Sequence, residues 1–427
     1  MNCITPFSTP IITKHNIRKF IFISISFSIL VSISVILRNN VIKTGNEKDD
    51  IRRLLSIYDK NRYDLIVQRA QQSMISVPIH VLDEVRYWNL DNHTNISESV
   101  YDLIVLKSKL PAEYYYILND MLWTHDLFHE WGTVLLENYY KDIINTIDKD
   151  SILFAGTDLS YFGINSLSIV HNNCAFVLIS QNRAADQAYL KYINSIYSNM
   201  QIPDAADLRN IAYKAHENTV GNIDDILIHA TYLTAWKLFE LNRDKYVFYV
   251  DEGIIMEWMF PFLRPCGLLM KLENKRIDSI GEALVNDDML FWDIKTKLLL
   301  SNNVFYKNKP ARLAYAKMRT AIAGIYIYRE RYSNAERALM QALELCNDSP
   351  DANMRLLDLY LRMERFEDAQ RVMSKLDDLK AIKTDMVSER IKTFRTNVMH
   401  KNQLEAAMKK DNKGTRPVNT HAAGGPG

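Results

Sequence analysis

The stretch ILFAGTDLSYFG, residues 152–163, decides how the rest of the chain is read. An apolar run leads into Gly156, then Thr157 and Asp158, then an aromatic segment. The pattern is that of a buried strand turning into a helix. Such a turn serves one of two ends. Its polar residues cap the orphan N–H groups of the helix, or they face a ligand in the crevice beyond the strand ends.

Working outward, three more short apolar runs follow: CAFVLI at 174–179, YVFYV at 246–250 and GLLMKL at 267–272. Segments of helical periodicity lie between them, at roughly 160–170, 183–198, 229–241 and 253–262. Alternating strand and helix predict a mostly parallel sheet with helices packed on it. Continuous apolar strands fit burial on both faces. The α/β domain is placed at residues 146–280.

On either side the pattern is helical. Residues 47–145 read as a helical region that opens with two helices joined at DKNRYD, residues 59–64. From 281 to 380 the periodicity is again helical, and a spacing of 34 residues recurs. It relates Tyr326 to Tyr360, Ala335 to Ala369 and Leu339 to Met373. That is the tetratricopeptide period. The small Ala335 and Ala369 let paired helices approach, and Tyr326, Leu339, Tyr360 and Met373 fill the space between them. The fold class expected is therefore α/β plus all-α.

The N-terminus adds a membrane element. Residues 20–37, FIFISISFSILVSISVIL, carry no charge over 18 positions, 13 of them large and apolar and five serine. That is about the shortest helix that spans a bilayer, and a lone strand would leave its backbone unsatisfied in lipid. No small-residue cleavage site follows, so an uncleaved single-pass anchor is expected. Residues 1–19 would stay cytoplasmic, with the bulk of the chain periplasmic on a bacterial inner membrane. Residues 409–427, rich in Lys, Asn and Gly, read as a disordered tail.

Composition sets limits. The 427 residues carry a net charge of +1, so no broad basic field marks a nucleic-acid partner. Cys3, Cys174, Cys266 and Cys346 show neither a metal-ligand spacing nor a disulfide framework. With 13 glycines and no Walker or Gly-x-Gly-x-x-Gly loop, a glycine-built phosphate cradle is not expected. His125 and His129, at i and i+4 in HDLFHE, share one helix face as in a zinc-protease helix. Asp126, however, stands where that motif has its glutamate, and no third ligand stands out. No metal and no cofactor are expected.

The candidate ligand-binding residues are polar groups at predicted strand ends. Thr157 and Asp158 follow the first strand. Gln181, Asn182 and Asp186 follow the second, and Glu252, next to Asp251, follows the third. Asp158 or Ser160, and Asp251, equally suit the role of helix N-cap.

The blocks FAGTD, VLISQNRAADQAYL, YVFYVDEGIIMEWMFPFLRPCGLLMKL and RTAIAGIYIYRERYSNAERALMQAL, in this order over roughly residues 125–378, resemble a known arrangement. They are similar to the soluble C-terminal region of bacterial multi-pass membrane proteins related to protein O-mannosyltransferases. In that family a glycosyltransferase-C-type membrane domain precedes an exported α/β domain, with tetratricopeptide repeats in some members. The resemblance rests on Gly156, Thr157, Asp158 and Phe162, and on Gln181, Asn182, Ala185, Asp186 and Tyr189. The chain departs from it at Ala155 and at Leu159, Ser160 and Tyr161, which replace a Gly and a Pro-Gly-Arg. With one candidate span, and only Asp49 and Asp50 after it, the chain by itself is not expected to be that transferase.

Two functions are therefore expected. The first is a membrane-anchored accessory protein of an envelope or glycosylation system, binding a protein partner through its repeats. The alternative is an enzyme component whose strand-end crevice binds a carbohydrate or nucleotide sugar.

Overall fold

The computed structural model describes residues 45–73, 112–157, 159–173, 176–217, 223–253 and 255–378. The candidate span at 20–37, Asp158 and the tail at 409–427 lie outside the described residues. Among the described residues, no helix is long and apolar enough to cross a membrane. The protein is mostly helical with one small mixed sheet, so it is α/β plus helical. Among the described residues, those up to Ala352 form one compact unit, and those from Asn353 to Asp378 a second.

The helices before the sheet are α1 (Gly45–Ser73), α2 (Ala112–Trp131) and α3 (Thr133–Ile144). The expected break at residues 59–64 is absent, and α1 runs unbroken. No Gly or Pro interrupts it, and Arg62 turns inward instead of marking an exposed joint. Its guanidinium lies over the Tyr58 ring and donates to Asn165 at 3.2 Å.

The chain then alternates as the apolar runs predict: β1 (Ser151–Ala155), α4 (Ile164–Val170), β2 (Val177–Ser180), α5 (Gln187–Ile196), α6 (Ala205–Glu217), α7 (Ile223–Asn242) and β3 (Val247–Val250). All five residues of β1 are buried, as expected of a strand covered on both faces. Phe239 of α7 packs edge-on to Phe248 of β3 at 5.2 Å, and Phe248 meets Phe154 of β1 at 5.5 Å.

A short 3-10 turn, Glu257–Phe262, replaces the helix expected at 253–262. Pro261 lies within it and removes an N–H that a longer helix needs. Two strands follow, β4 (Leu263–Cys266) and β5 (Leu269–Leu272), joined at Gly267, whose φ of 62° suits a tight reversal.

The sheet order is β2-β1-β3-β5-β4. β1 pairs with β2 and β3 in parallel, whereas β5 pairs with β3 and β4 antiparallel. The expectation of a mostly parallel sheet is thus corrected to a mixed one. The missed strand is β4, whose sequence LRPC does not read as a strand. Pro265 is tolerated because β4 lies at the edge of the sheet.

The remaining helices of the first unit are α8 (Glu282–Ser301), α9 (Asn303–Lys307), α10 (Lys309–Tyr328) and α11 (Tyr332–Leu345). α8 and α10 lie against β4. The turn after α10 is tied to the sheet region: Arg329 donates to the Phe260 carbonyl at 3.1 Å, and Tyr328 stacks on Phe260. α12 (Pro350–Arg362) begins at the end of this unit, and α13 (Phe366–Asp378) belongs to the second.

The 34-residue period has a backbone counterpart. Glu330 and Glu364 both sit at φ 57°, each after a helix and before the next. Arg331 N–H reaches the Tyr326 carbonyl at 2.9 Å, and Arg365 N–H reaches the Tyr360 carbonyl at the same distance. Tyr326, Ala335, Leu339, Tyr360, Ala369 and Met373 are all buried.

Candidate functional site

The strand order creates a switch point. From β1 the chain crosses to β2 on one side, and β3 returns on the other side of β1. The loops leaving β1 and β3 meet at the carboxyl ends of these strands, the place where α/β sheets bind ligands. Gly156 and Thr157 end β1 there, and Asp251, Glu252 and Gly253 end β3.

Asp251 fastens the two loops together. Its carboxylate accepts the Gly156 N–H at 3.0 and 3.1 Å and the Gly253 N–H at 2.7 Å. The residue is fully buried. This corrects its expected role as a helix cap: Asp251 joins two loops 95 residues apart. The cap of the β1 turn is Thr157. Its Oγ1 accepts the Ser160 N–H at 3.3 Å while Ser160 Oγ accepts the Thr157 N–H at 3.2 Å. That is the reciprocal geometry of a capping box, with serine in the usual place of glutamate.

Thr157 also donates to Glu252 Oε1 at 2.9 Å. The other oxygen, Glu252 Oε2, is buried and without a hydrogen-bond partner. Burial, and then the charge of Asp251, pushes the Glu252 carboxyl up to about 8. Burial also raises Asp251. Both causes favour the protonated form of Glu252. Since Oε1 accepts from Thr157, its proton belongs on Oε2.

Gln181 follows β2 and is fully buried, yet neither its Oε1 nor its Nε2 has a partner. A buried polar side chain without hydrogen bonds costs about 1–3 kcal/mol, and such a cost persists where a site uses the group. Gln181 Oε1 lies beside Gly253: a Cβ there would stand 2.8 Å from Oε1 and 2.3 Å from Gly156 Cα. Gly253→Ala should therefore separate the β1 and β3 loops. We expect a loss of about 1–3 kcal/mol, measured by urea denaturation, together with loss of any ligand response. An unchanged midpoint would show that the loops are not in close contact.

The other two expected residues from this strand end have partners within the protein. Asn182 is exposed and donates Nδ2 to the Gly156 carbonyl at 3.2 Å. Asp186 is the N-cap of α5, accepting from Ala188 N–H at 2.8 Å, and it also accepts from the Tyr116 hydroxyl. The structure thus brings Thr157, Gln181 and Glu252 together and adds Asp251 and Gly253. Gly253 follows the acidic pair directly, and an Asp-Glu-Gly run after an apolar strand is the signal that marks it.

Arg183, one residue beyond Asn182, is held by Asp120 of α2 at 2.6 Å, with its guanidinium 5.0–5.9 Å from the rings of Tyr116, Tyr161, Phe162 and Tyr189. This cation locks the floor beneath the loops through cation–π contacts. Of the two α2 histidines, His125 reaches across to α1, its Nε2 meeting Asp59 at 2.9 Å. Among the described residues no group of three or more His, Cys, Asp or Glu is placed to hold a metal ion.

Comparison of the chain with protein-family models, with curated proteins and with solved structures finds no match.

Proposed function

We propose that the strand-end crevice binds a neutral, hydroxyl-rich ligand of the carbohydrate class. The observation that carries this reading is that unpartnered buried polar atoms, Gln181 Oε1 and Nε2 and Glu252 Oε2, follow the two strands that neighbour β1 at the switch point. Together they offer a carbonyl acceptor, an amide donor and an acid hydroxyl. A sugar hydroxyl both donates and accepts, and so matches all three. A phosphate or carboxylate is disfavoured by the neighbouring Asp251 carboxylate. The site therefore favours the sugar over the diphosphate of a nucleotide sugar.

The test is a thermal-shift panel of neutral mono- and disaccharides and nucleotide sugars on the purified chain. A neutral sugar at a hundredfold its dissociation constant stabilises by about 2.7 kcal/mol, a shift of several degrees. Gln181→Leu should abolish that shift. A panel with no response, or a response that survives Gln181→Leu, overturns the assignment.

A second reading concerns the C-terminal helices. The recurrence of one turn geometry at Glu330 and Glu364 supports tetratricopeptide-like repeats, whose helical faces bind peptides or helices. With residues 20–37 as a membrane anchor, the chain would act as an accessory component that holds a carbohydrate near a partner protein, in an envelope or glycosylation system.

A further inference from the structure

α8 carries an apolar stripe that no described residue covers. Leu290, Ile294 and Leu298 are 59, 52 and 61% exposed, whereas Val285, Met289 and Trp292 on the opposite face are buried. A helix of this kind normally turns its large apolar residues inward. This one has two apolar faces, and only one meets other described residues.

The exposed face has the spacing of a packing seam. Asp287, Leu290, Ile294, Lys297 and Ser301 succeed one another at steps of three, four, three and four. That is the step pattern of helices that pack along their length. Asp287 and Lys297 are both exposed and form no ion pair among the described residues.

The stripe is complementary to itself. When two copies of α8 run antiparallel about a two-fold axis level with position 292, Leu290 faces Ile294 of the second copy. The same register sets Asp287 against Lys297 at both ends. An isologous contact requires that a residue's partner be partnered by it in return, and these pairs meet that condition for apolar and charged positions alike. A parallel arrangement would instead set Asp287 against Asp287 and Lys297 against Lys297.

We propose that the chain self-associates through this face of α8, as an antiparallel two-fold dimer in the register Asp287–Lys297 and Leu290–Ile294. The occupant is a second copy of the chain because the charges match within one helix, with no outside partner required. The proposal is independent of the ligand crevice.

The experiment is light scattering with size-exclusion chromatography on the full chain, solubilised in a mild detergent, at micromolar concentration. The wild type should run as a dimer. Asp287→Lys and Lys297→Asp should each weaken dimerisation at least tenfold, since each sets like charges opposite one another. The combined Asp287→Lys/Lys297→Asp variant should restore it. Both positions are exposed, so the far-ultraviolet circular dichroism should stay unchanged and distinguish a lost contact from a lost fold. A Leu290→Cys/Ile294→Cys variant should form a covalent dimer under mild oxidation. A monomeric wild type would overturn the proposal and leave the stripe to another segment or another protein. A dimer indifferent to both charge reversals would overturn the register and the face.

Discussion

Replacing Arg319 by methionine is expected to lower the stability of the protein by about 3–5 kcal/mol, the cost of breaking a buried ion pair from one side. Arg319 and Asp288 have side chains 0 and 2% exposed and meet at 2.7 Å. The guanidinium also donates to Gln341 at 2.8 Å and lies 5.2 Å from the Trp292 ring, while Asp288 accepts the Tyr326 hydroxyl at 2.7 Å. The network joins α8, α10 and α11 where those helices leave no route to water. Arg319→Met strands Asp288 with one neutral donor, and Asp288→Leu strands the guanidinium. Both changes together remove the charges and fill the space with apolar volume, which is often close to neutral. Chemical denaturation of the two single variants and the double variant closes the cycle. A double variant as unstable as the sum of the singles would show that the two side chains do not act as a pair.

The second large effect is on pH dependence. Glu252 and Asp251 are both raised in the folded protein by burial, and Glu252 further by Asp251. In the unfolded chain both ionise near pH 4. Between those limits the native state binds more protons than the unfolded state, so stability falls as pH rises. The contribution is complete below about pH 4 and is lost as pH climbs through the raised native values, levelling off above about pH 8. Glu252→Gln keeps the shape and the donor and removes the titration. We expect the wild type to lose on the order of 3 kcal/mol between pH 5 and pH 9 from this pair, and the variant to lose much less. The variant should therefore be the more stable protein at pH 9 and nearly equal to wild type at pH 5. Parallel stability curves would place the Glu252 carboxyl in water. A substitution that strengthens the fold at a residue facing the crevice is the usual sign of a group kept for binding.

The architecture was legible where the sequence carries long, clean periodicity. The runs at 152–156, 246–250 and 267–272 became β1, β3 and β5, and the apolar run at 174–179 leads into β2. β4 was hidden because an edge strand accepts Arg264 and Pro265, which a central strand would reject. The unbroken α1 was hidden because Arg62 is charged in sequence and buried in the fold, its stem and head covered by Tyr58 and Asn165. The site was half legible. Polar residues after apolar strands drew attention to Thr157, Gln181 and Glu252, but sequence order could not separate a cap such as Asp186 from an unpartnered group such as Gln181. That distinction depends on which strands are neighbours, and the crossing of the chain from β2 past β1 to β3 leaves no local trace.

The Asp251 carboxylate and the Gly156 amide it accepts are 95 residues apart in the chain. Closing a loop of that length comes late in folding, after local helical hairpins and the β4–β5 turn have formed. The two loops are brought together by the parallel β1–β3 pairing. A ligand held there recognises the finished protein alone, so it draws the folding equilibrium toward completion by mass action. Its arrival would act as a check on maturation as well as a binding event.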